Sequence, residues 1–237
     1  MKIAVYTALF TDDPNYLYGD IIPYTHDKDE VDYIAFTNSD YLESDFWDIR
    51  KMSLWRSGRW TARKCKTSPE ILLPDYDVWV WMDNEIYFTY DLRSLVDFHL
   101  GDNDLAVHKH CDRNCLYEEV EATSRRSPLR DPIGLITGQG ESYRDEGYPE
   151  QIGLYENGIL FRKNNERVRE FNKLWFDETA KWNTEDQLSM MYSLWKLPEV
   201  KVNPINQTFV LHNYANKHLP LTDQFKCLHR ENRYVAK

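Results

Sequence analysis

Residues 78–85 read Val-Trp-Val-Trp-Met-Asp-Asn-Glu, five apolar residues running into two acids, Asp83 and Glu85, one residue apart. An uninterrupted apolar run of this length fits a strand covered on both faces, as in a parallel sheet flanked by helices. Its last residues would emerge at the strand's carboxyl end, where open α/β sheets place their ligands. Two carboxylates this close in the chain can converge on one hard divalent cation, and such a cation can hold a diphosphate. The chemistry implied is metal-dependent work on a nucleotide-linked substrate. The same residues also read as a strand end closed by turn acids, and the tip alone does not separate the two.

A second group of interest is basic. Arg59, Arg63, Lys64 and Lys66 gather in an otherwise acidic chain. At helical spacing Arg59, Arg63 and Lys66 share one face. Cations there could offset diphosphate charge, with arginine offering two-pronged contacts. They could equally form a solvated face paired with the chain's many acids.

The elements that must position these groups follow from periodicity and turn residues. Lys2–Phe10 and Val31–Thr37 read as buried strands, each ended by turn residues. The later part of Ser53–Leu73 is expected to be helical, and Asp77–Met82 is the acid-tipped strand. Leu92–Leu100 reads as a helix with Leu92, Leu95, Val96 and His99 on one face. Asp104–His108 and Gly158–Arg162 read as strands, and a helix starts in Leu116–Thr123. Arg125–Tyr148, with its prolines and glycines, reads as a long loop able to cover an acceptor site. Glu166–Thr179 and Glu185–Leu194 are expected helices, the second with Thr184 as its cap. Phe209–His212 is a late strand ending in histidine. Strands alternating with helices predict an α/β fold, a mostly parallel, Rossmann-like sheet flanked by helices.

Composition narrows the function classes. A chain of 237 residues fits one domain over 1–237. Lys and Arg total 29 against 39 acids, a formal charge of -10, which argues against a nucleic-acid binder. The 8 Trp and 16 Tyr supply core packing and are the residue types that cover the apolar faces of pyranose rings, although Trp175, Trp182 and Trp195 are expected to pack the core. His108, His110, Cys111 and Cys115 lie close together but match no usual zinc spacing, and reduced thiols are the simpler account. Met1–Phe10 is too short for a signal-peptide core, and no apolar run approaches the roughly 18 residues of a membrane span. A cytoplasmic location is the expectation.

Four blocks, taken together, resemble the GT-A class of nucleotide-sugar glycosyltransferases, and more closely the glycosyltransferase-like domain family of plant mucilage and cell-wall proteins with bacterial and viral relatives. They are Lys2–Phe10, then Ala62–Lys66 through Leu73–Asp77 to the Asp83-Asn84-Glu85 tip, then His108–Glu119, and finally Gly153–Arg162 with Glu185–Ser189. GT-A enzymes commonly carry Asp-x-Asp at this tip, whereas here the second acid is Glu85.

The resemblance implies a GT-A-like fold and a metal-dependent transferase, moving a sugar from a nucleoside-diphosphate donor, typically UDP, to a saccharide or glycoconjugate hydroxyl. It implies a Mn²⁺ or Mg²⁺ site on Asp83 and Glu85, with His212 as third ligand and His218 as fallback. A mixed oxygen and imidazole set favours Mn²⁺. Thr7, Ala8 and Thr37 match positions that contact base and ribose, and Asn84, Arg63 and Lys66 match donor-binding positions. Asp186 would serve the transfer step or lie beneath the sugar, with Glu156 as the rival acid. At Asp186 the helix dipole alone also stabilises an acid. Rival functions are a non-catalytic carbohydrate-binding or scaffold domain and a metal-dependent phosphohydrolase.

Overall fold

Alternation along the first strands sets the frame of the molecule. The structure is a computed structural model that describes residues 1–13, 31–84, 86–88, 91–205 and 225–227, with 86–88 and 225–227 described by backbone alone. In β1 (Ile3–Leu9) and β4 (Val78–Met82), Ile3, Val5, Val80 and Met82 face one side while Ala4, Tyr6, Trp79 and Trp81 face the other. Both faces are covered, and β4 is buried along its whole length. The continuous apolar run is therefore a doubly covered strand, as expected from its composition.

The sheet adds β2 (Val31–Thr37), β3 (Asp48–Lys51), β6 (Leu105–Lys109), β7 (Tyr155–Lys163) and β8 (Val202–Ile205), in the order β3-β2-β1-β4-β7-β6-β8. It is mostly parallel, with β7 running antiparallel between β4 and β6. A separate two-stranded ribbon pairs β5 (Ile86–Phe88) with β9 (Phe225–Cys227). Four strands of this list, β3, β5, β8 and β9, were not expected. Each has only three or four residues, too few for a period-2 signal.

Helix α3 (Leu92–Leu100) covers one face of the sheet, and α1 (Gly58–Thr67) and α6 (Glu166–Lys181) cover the other. Leu92, Leu95, Val96 and His99 are all buried on α3, matching the apolar stripe in the sequence. Helix α1 begins beside the carboxyl end of β1. A Cβ on Gly58 would lie 2.9 Å from Phe10 backbone atoms, so only glycine lets the helix start this close. Ser57 caps it by accepting the Trp60 N–H. The short α2 (Pro69–Leu72) follows.

Helices α4 (Leu116–Ser124), α5 (Ile133–Asp145) and α7 (Asp186–Lys196) enclose a third apolar cluster around Leu116, Ile136, Tyr143, Leu188 and Tyr192. Helix α5 corrects the expected loop over Arg125–Tyr148. Its buried residues Ile136, Gln139, Gly140 and Tyr143 recur at helical spacing, and its glycines hid that pattern. Thr184 is likewise not the cap of α7. The cap position is Glu185, and the Thr184 hydroxyl donates to Asp131 at 2.5 Å. The expected strand Phe209–His212 lies outside the described residues. No helix among the described residues is long and apolar enough to cross a membrane.

Candidate active site

Strand β4 delivers Asp83 to its carboxyl end. The backbone N–H of Asp83 donates to Gly158 of β7 at 2.8 Å, extending the ladder one residue past the strand. The Trp81 indole N–H donates to Asp83 Oδ1 at 2.8 Å, which orients the carboxylate. Its side chain stays 31% exposed, and Oδ2 makes no hydrogen bond within the described residues. An oriented, accessible carboxylate with an open oxygen fits a cation ligand. Asn84 is half-buried beside it. Glu85, His212 and His218 lie outside the described residues.

The helix cations meet specific acids. Lys66 Nζ lies 2.8 Å from Asp186 Oδ2 and 3.9 Å from Asp83 Oδ1, and donates to Asn157 Oδ1 at 3.0 Å. Arg63 reaches Asp186 Oδ1 at 3.4 Å and donates through Nε to the Thr184 carbonyl at 2.8 Å. Arg59 pairs with Glu185 at 2.9 Å. The face of α1 foreseen as basic is thus packed against the start of α7 rather than solvated.

Charge and burial compete here, and charge wins at Asp186. Burial opposes ionisation of its carboxyl, but Arg63 and Lys66 outweigh burial and hold the group below the usual carboxylate range. Lys66 shows the opposite balance. Burial pulls its ammonium below the ordinary lysine range despite Asp186 and Asp83.

A second ring of charges adjoins the first, through residues that the sequence reading did not single out. Arg126 bridges Glu185 at 3.0 Å and Glu119 at 3.3 Å, and Arg113 meets Glu119 at 2.6 Å. Nothing in the spacing of Arg113, Glu119 and Arg126 marks them as partners of Glu185. Only the packing of α4 against α7 does.

Glu156, the rival acid, sits on β7 with 4% exposure. The Cys111 thiol donates to its Oε1 at 3.2 Å, and His110 Nε2 is 3.9 Å from the same oxygen. Its Oε2 is buried without a hydrogen-bond partner. Burial pushes the Glu156 carboxyl up to about 7, with Asp112 adding to the rise, so this acid is poised near neutrality. A cavity of about 580 Å³ opens beside it, lined by His110, Cys111, Arg113, Gln151, Ile152 and Tyr155 among others.

His110, Cys111 and Glu156 bring one possible ligand atom each within 4.8 Å, a cluster the cysteine spacing did not reveal because Glu156 comes from another strand. The hydrogen bonding disfavours a cation there. His110 Nδ1 already accepts the backbone N–H groups of Asp112 and Arg113 at 3.1 Å, and Nε2 lies 2.7 Å from the Arg113 guanidinium, a donor-only group, so both ring nitrogens are engaged within the protein. Burial and the Glu156 charge also raise the Cys111 thiol to about 12.

Of the remaining expected residues, Thr7 is buried at the end of β1 with an unpartnered Oγ1, and Ala8 is half-buried. Thr37 is fully buried, and its hydroxyl accepts the Ser39 N–H at 3.0 Å. That hydroxyl is engaged in closing the β2 turn. Trp175 is fully buried, while Trp182 and Trp195 pack partly buried against the third cluster, as expected of core residues.

The sequence pattern of the TOD1/MUCI70, glycosyltransferase-like domain family matches residues 51–219, a span that contains Asp83, Arg63, Lys66, Glu156 and Asp186. This chain belongs to that family. Its fold is that of GT-A glycosyltransferases, and fold and family together support a glycosyltransferase. The apo WbbM bifunctional glycosyltransferase superposes with a TM-score of 0.50 at 17% identity, over 86% of this chain and 38% of that one. Mouse xyloside xylosyltransferase 1 superposes with a TM-score of 0.49 at 7% identity, over 86% and 85% of the two chains. The galactosyltransferase LgtC, bound to donor and acceptor sugar analogs, gives 0.46 at 12% identity, over 87% and 74%. Among curated proteins, none matches the sequence significantly. The TOD1/MUCI70 pattern begins at Lys51, the last residue of β3, so β1 and β2 lie outside the matched span.

Proposed function

We propose that this TOD1/MUCI70 domain, acting as one unit over 1–237, transfers a sugar from a nucleoside-diphosphate donor, UDP by preference, to a saccharide or glycoconjugate hydroxyl, and that it needs a divalent cation. The observation that carries this is the convergence of Asp83 and Asp186 on the single buried ammonium of Lys66. A strand tip, a helix face and a helix start thereby meet at one point. Asp83 would hold Mn²⁺ or Mg²⁺, joined by Glu85 and His212, and the bound cation would supply Lewis-acid stabilisation of the leaving diphosphate.

The chain's own groups divide the remaining work. Arg63 and Lys66 face the growing negative charge and also keep Asp186 ionised. An acid held below its usual range is a poor proton acceptor, so Asp186 acts by its charge, opposite the positive character that builds on the sugar. Glu156, raised to about 7, has the affinity a general base needs near neutral pH. Thr7 and Asn84 line the donor side, with Ala8 and Thr37 shaping the strand ends.

Calorimetry with UDP in the presence and absence of Mn²⁺, followed by a thermal-shift panel of nucleotide sugars, tests the proposal. Metal-dependent UDP binding is expected, with one nucleotide sugar stabilising the fold more than UDP alone. Absence of nucleotide binding under both conditions sinks it.

A further inference from the structure

We infer that Arg162 is a positioning residue, which locks the backbone of Lys66 so that its ammonium arrives between Asp186, Asp83 and Asn157. This deepens the donor-site assignment above and rests on it for its functional consequence. Arg162 lies on β7 and is completely buried. Among the described residues no carboxylate is within ion-pair distance of it. Its guanidinium donates to the Lys66 carbonyl at 2.7 Å and to the Tyr6 hydroxyl, while the other terminal nitrogen donates to Asn172 Oδ1 at 2.6 Å. Asn172 in turn donates to Glu70 at 2.8 Å, so the nearest acid is reached only through an amide. The Tyr6 hydroxyl also donates to the Lys66 carbonyl, at 3.0 Å.

An unpaired buried guanidinium is an expensive way to fill space, and an apolar side chain of similar volume would stabilise the core better. What Arg162 achieves is specific. Lys66 lies in the last turn of α1 (Gly58–Thr67), where carbonyls lack intrahelical donors. Lys66 is only 1% exposed, so water does not serve its carbonyl. Two donors from the sheet, Tyr6 on β1 and Arg162 on β7, do so instead. The main chain of Lys66 is thereby tied to both strands that flank β4, the strand carrying Asp83.

A flexible four-carbon side chain places its charge reliably only from a fixed origin. A site of this kind tolerates roughly half an ångström of error. Lysine at position 162 keeps a charge but cannot reach the Lys66 carbonyl, Tyr6 and Asn172 at once, because it lacks the planar fork.

The test follows the Lys66 ammonium directly, in ligand-free protein, by its side-chain ¹H–¹⁵N signal, assigned by its disappearance in Lys66→Met. Arg162→Lys, with Tyr6→Phe as a milder second variant should the first not fold, is expected to move that signal or lose it to water exchange. UDP affinity with Mn²⁺ should fall about tenfold in Arg162→Lys, and the same change in the Lys66→Met background should have almost no further effect, because the two act as one unit. A Lys66 signal unchanged in a destabilised Arg162 variant overturns the inference, as do equal losses of affinity in both backgrounds. If the wild-type protein binds no UDP, the donor-site assignment falls, while the ammonium signal still decides the role of Arg162.

Discussion

Lys66 Nζ sits 2.8 Å from Asp186 Oδ2, with 1% and 5% of the two side chains exposed. Two opposite charges so far apart in sequence and so deeply buried are not a surface pairing. Each needs the other, since a lone buried charge is strongly unfavourable.

Lys66→Met leaves Asp186 with Arg63 alone and is expected to destabilise the fold by about 3 kcal/mol. Lys66→Met combined with Asp186→Leu should recover part of that loss. Urea melts of both singles and the double give the coupling, and additive losses would show that the pair is not a unit. Asp186 also sets an acid limit. Its folded pKa lies below the ordinary value, so its contribution is present above that range and is lost as pH falls through the folded pKa. Asp186→Asn should flatten the acid side of the stability curve.

In the reaction itself, Asp186→Asn is expected to keep nucleotide affinity and lose turnover by about a hundredfold to a thousandfold, the range for removing one group that stabilises transition-state charge. Steady-state kinetics beside UDP calorimetry checks this. Retained turnover with lowered stability would confine Asp186 to a structural role.

Glu156 has the opposite linkage. Its folded pKa of about 7 lies above the ordinary glutamate value of 4.5, so the native state binds the extra proton. Stability is full below about 4.5 and declines as pH rises through about 7, by about 3 kcal/mol at most. Glu156→Gln should remove this decline, measured by denaturant melts at a series of pH values. If Glu156 is the base, wild-type turnover rises with pH to a plateau above about 7 and the Gln variant loses that limb. A wild-type rate flat across this range would point to another base.

Asp83→Ala removes the oriented carboxylate at the tip of β4 and should abolish Mn²⁺-dependent UDP binding while the strand, held by its neighbours, stays folded. Normal Mn²⁺ affinity in this variant would place the cation elsewhere. Paramagnetic broadening by Mn²⁺ provides a readout independent of turnover.

Gly140 tests the correction over Arg125–Tyr148. A Cβ at this position would lie 3.0 and 3.2 Å from the two Val120 methyls. Valine in a helix has one strongly preferred side-chain rotamer and yields little. Gly140→Ala is therefore expected to lower stability by about 1 kcal/mol, despite the better helix propensity of alanine. Val120→Ala in the same background should relieve the clash, as thermal melts would show.

Much of the fold was legible because local pattern and tertiary environment agree. The run Val78–Met82 needs cover on both faces, and the stripe Leu92, Leu95, Val96 and His99 needs one buried face, whatever the partners are. Helix α5 was hidden by Gly134, Gly138 and Gly140, residues that weaken helix propensity and are read as loop. Gly140 is there for close packing against α4, a requirement that propensity does not express. Asp83, Arg63, Lys66 and Asp186 were legible as candidates because their residue types and element ends suit charged chemistry.

Sequence alone determined most of the longer elements, the acid-tipped strand and the cations of one helix face, since these depend on periods of two and 3.6 residues and on chain-local spacing. Only the tertiary structure decided which charges meet. The pairing of Lys66 with Asp186 depends on how α1 and α7 pack, and the Arg126 bridge from Glu119 to Glu185 depends on how α4 meets α7. The elevated Glu156 carboxyl depends on the burial that the assembled layers impose, with Asp112 nearby, against the lowering hydrogen bonds from Cys111, and the grip of Arg162 on Lys66 depends on β7 entering the sheet antiparallel. Burial turns ordinary acids and bases into perturbed ones, and burial is a property of the assembled layers rather than of any stretch of chain.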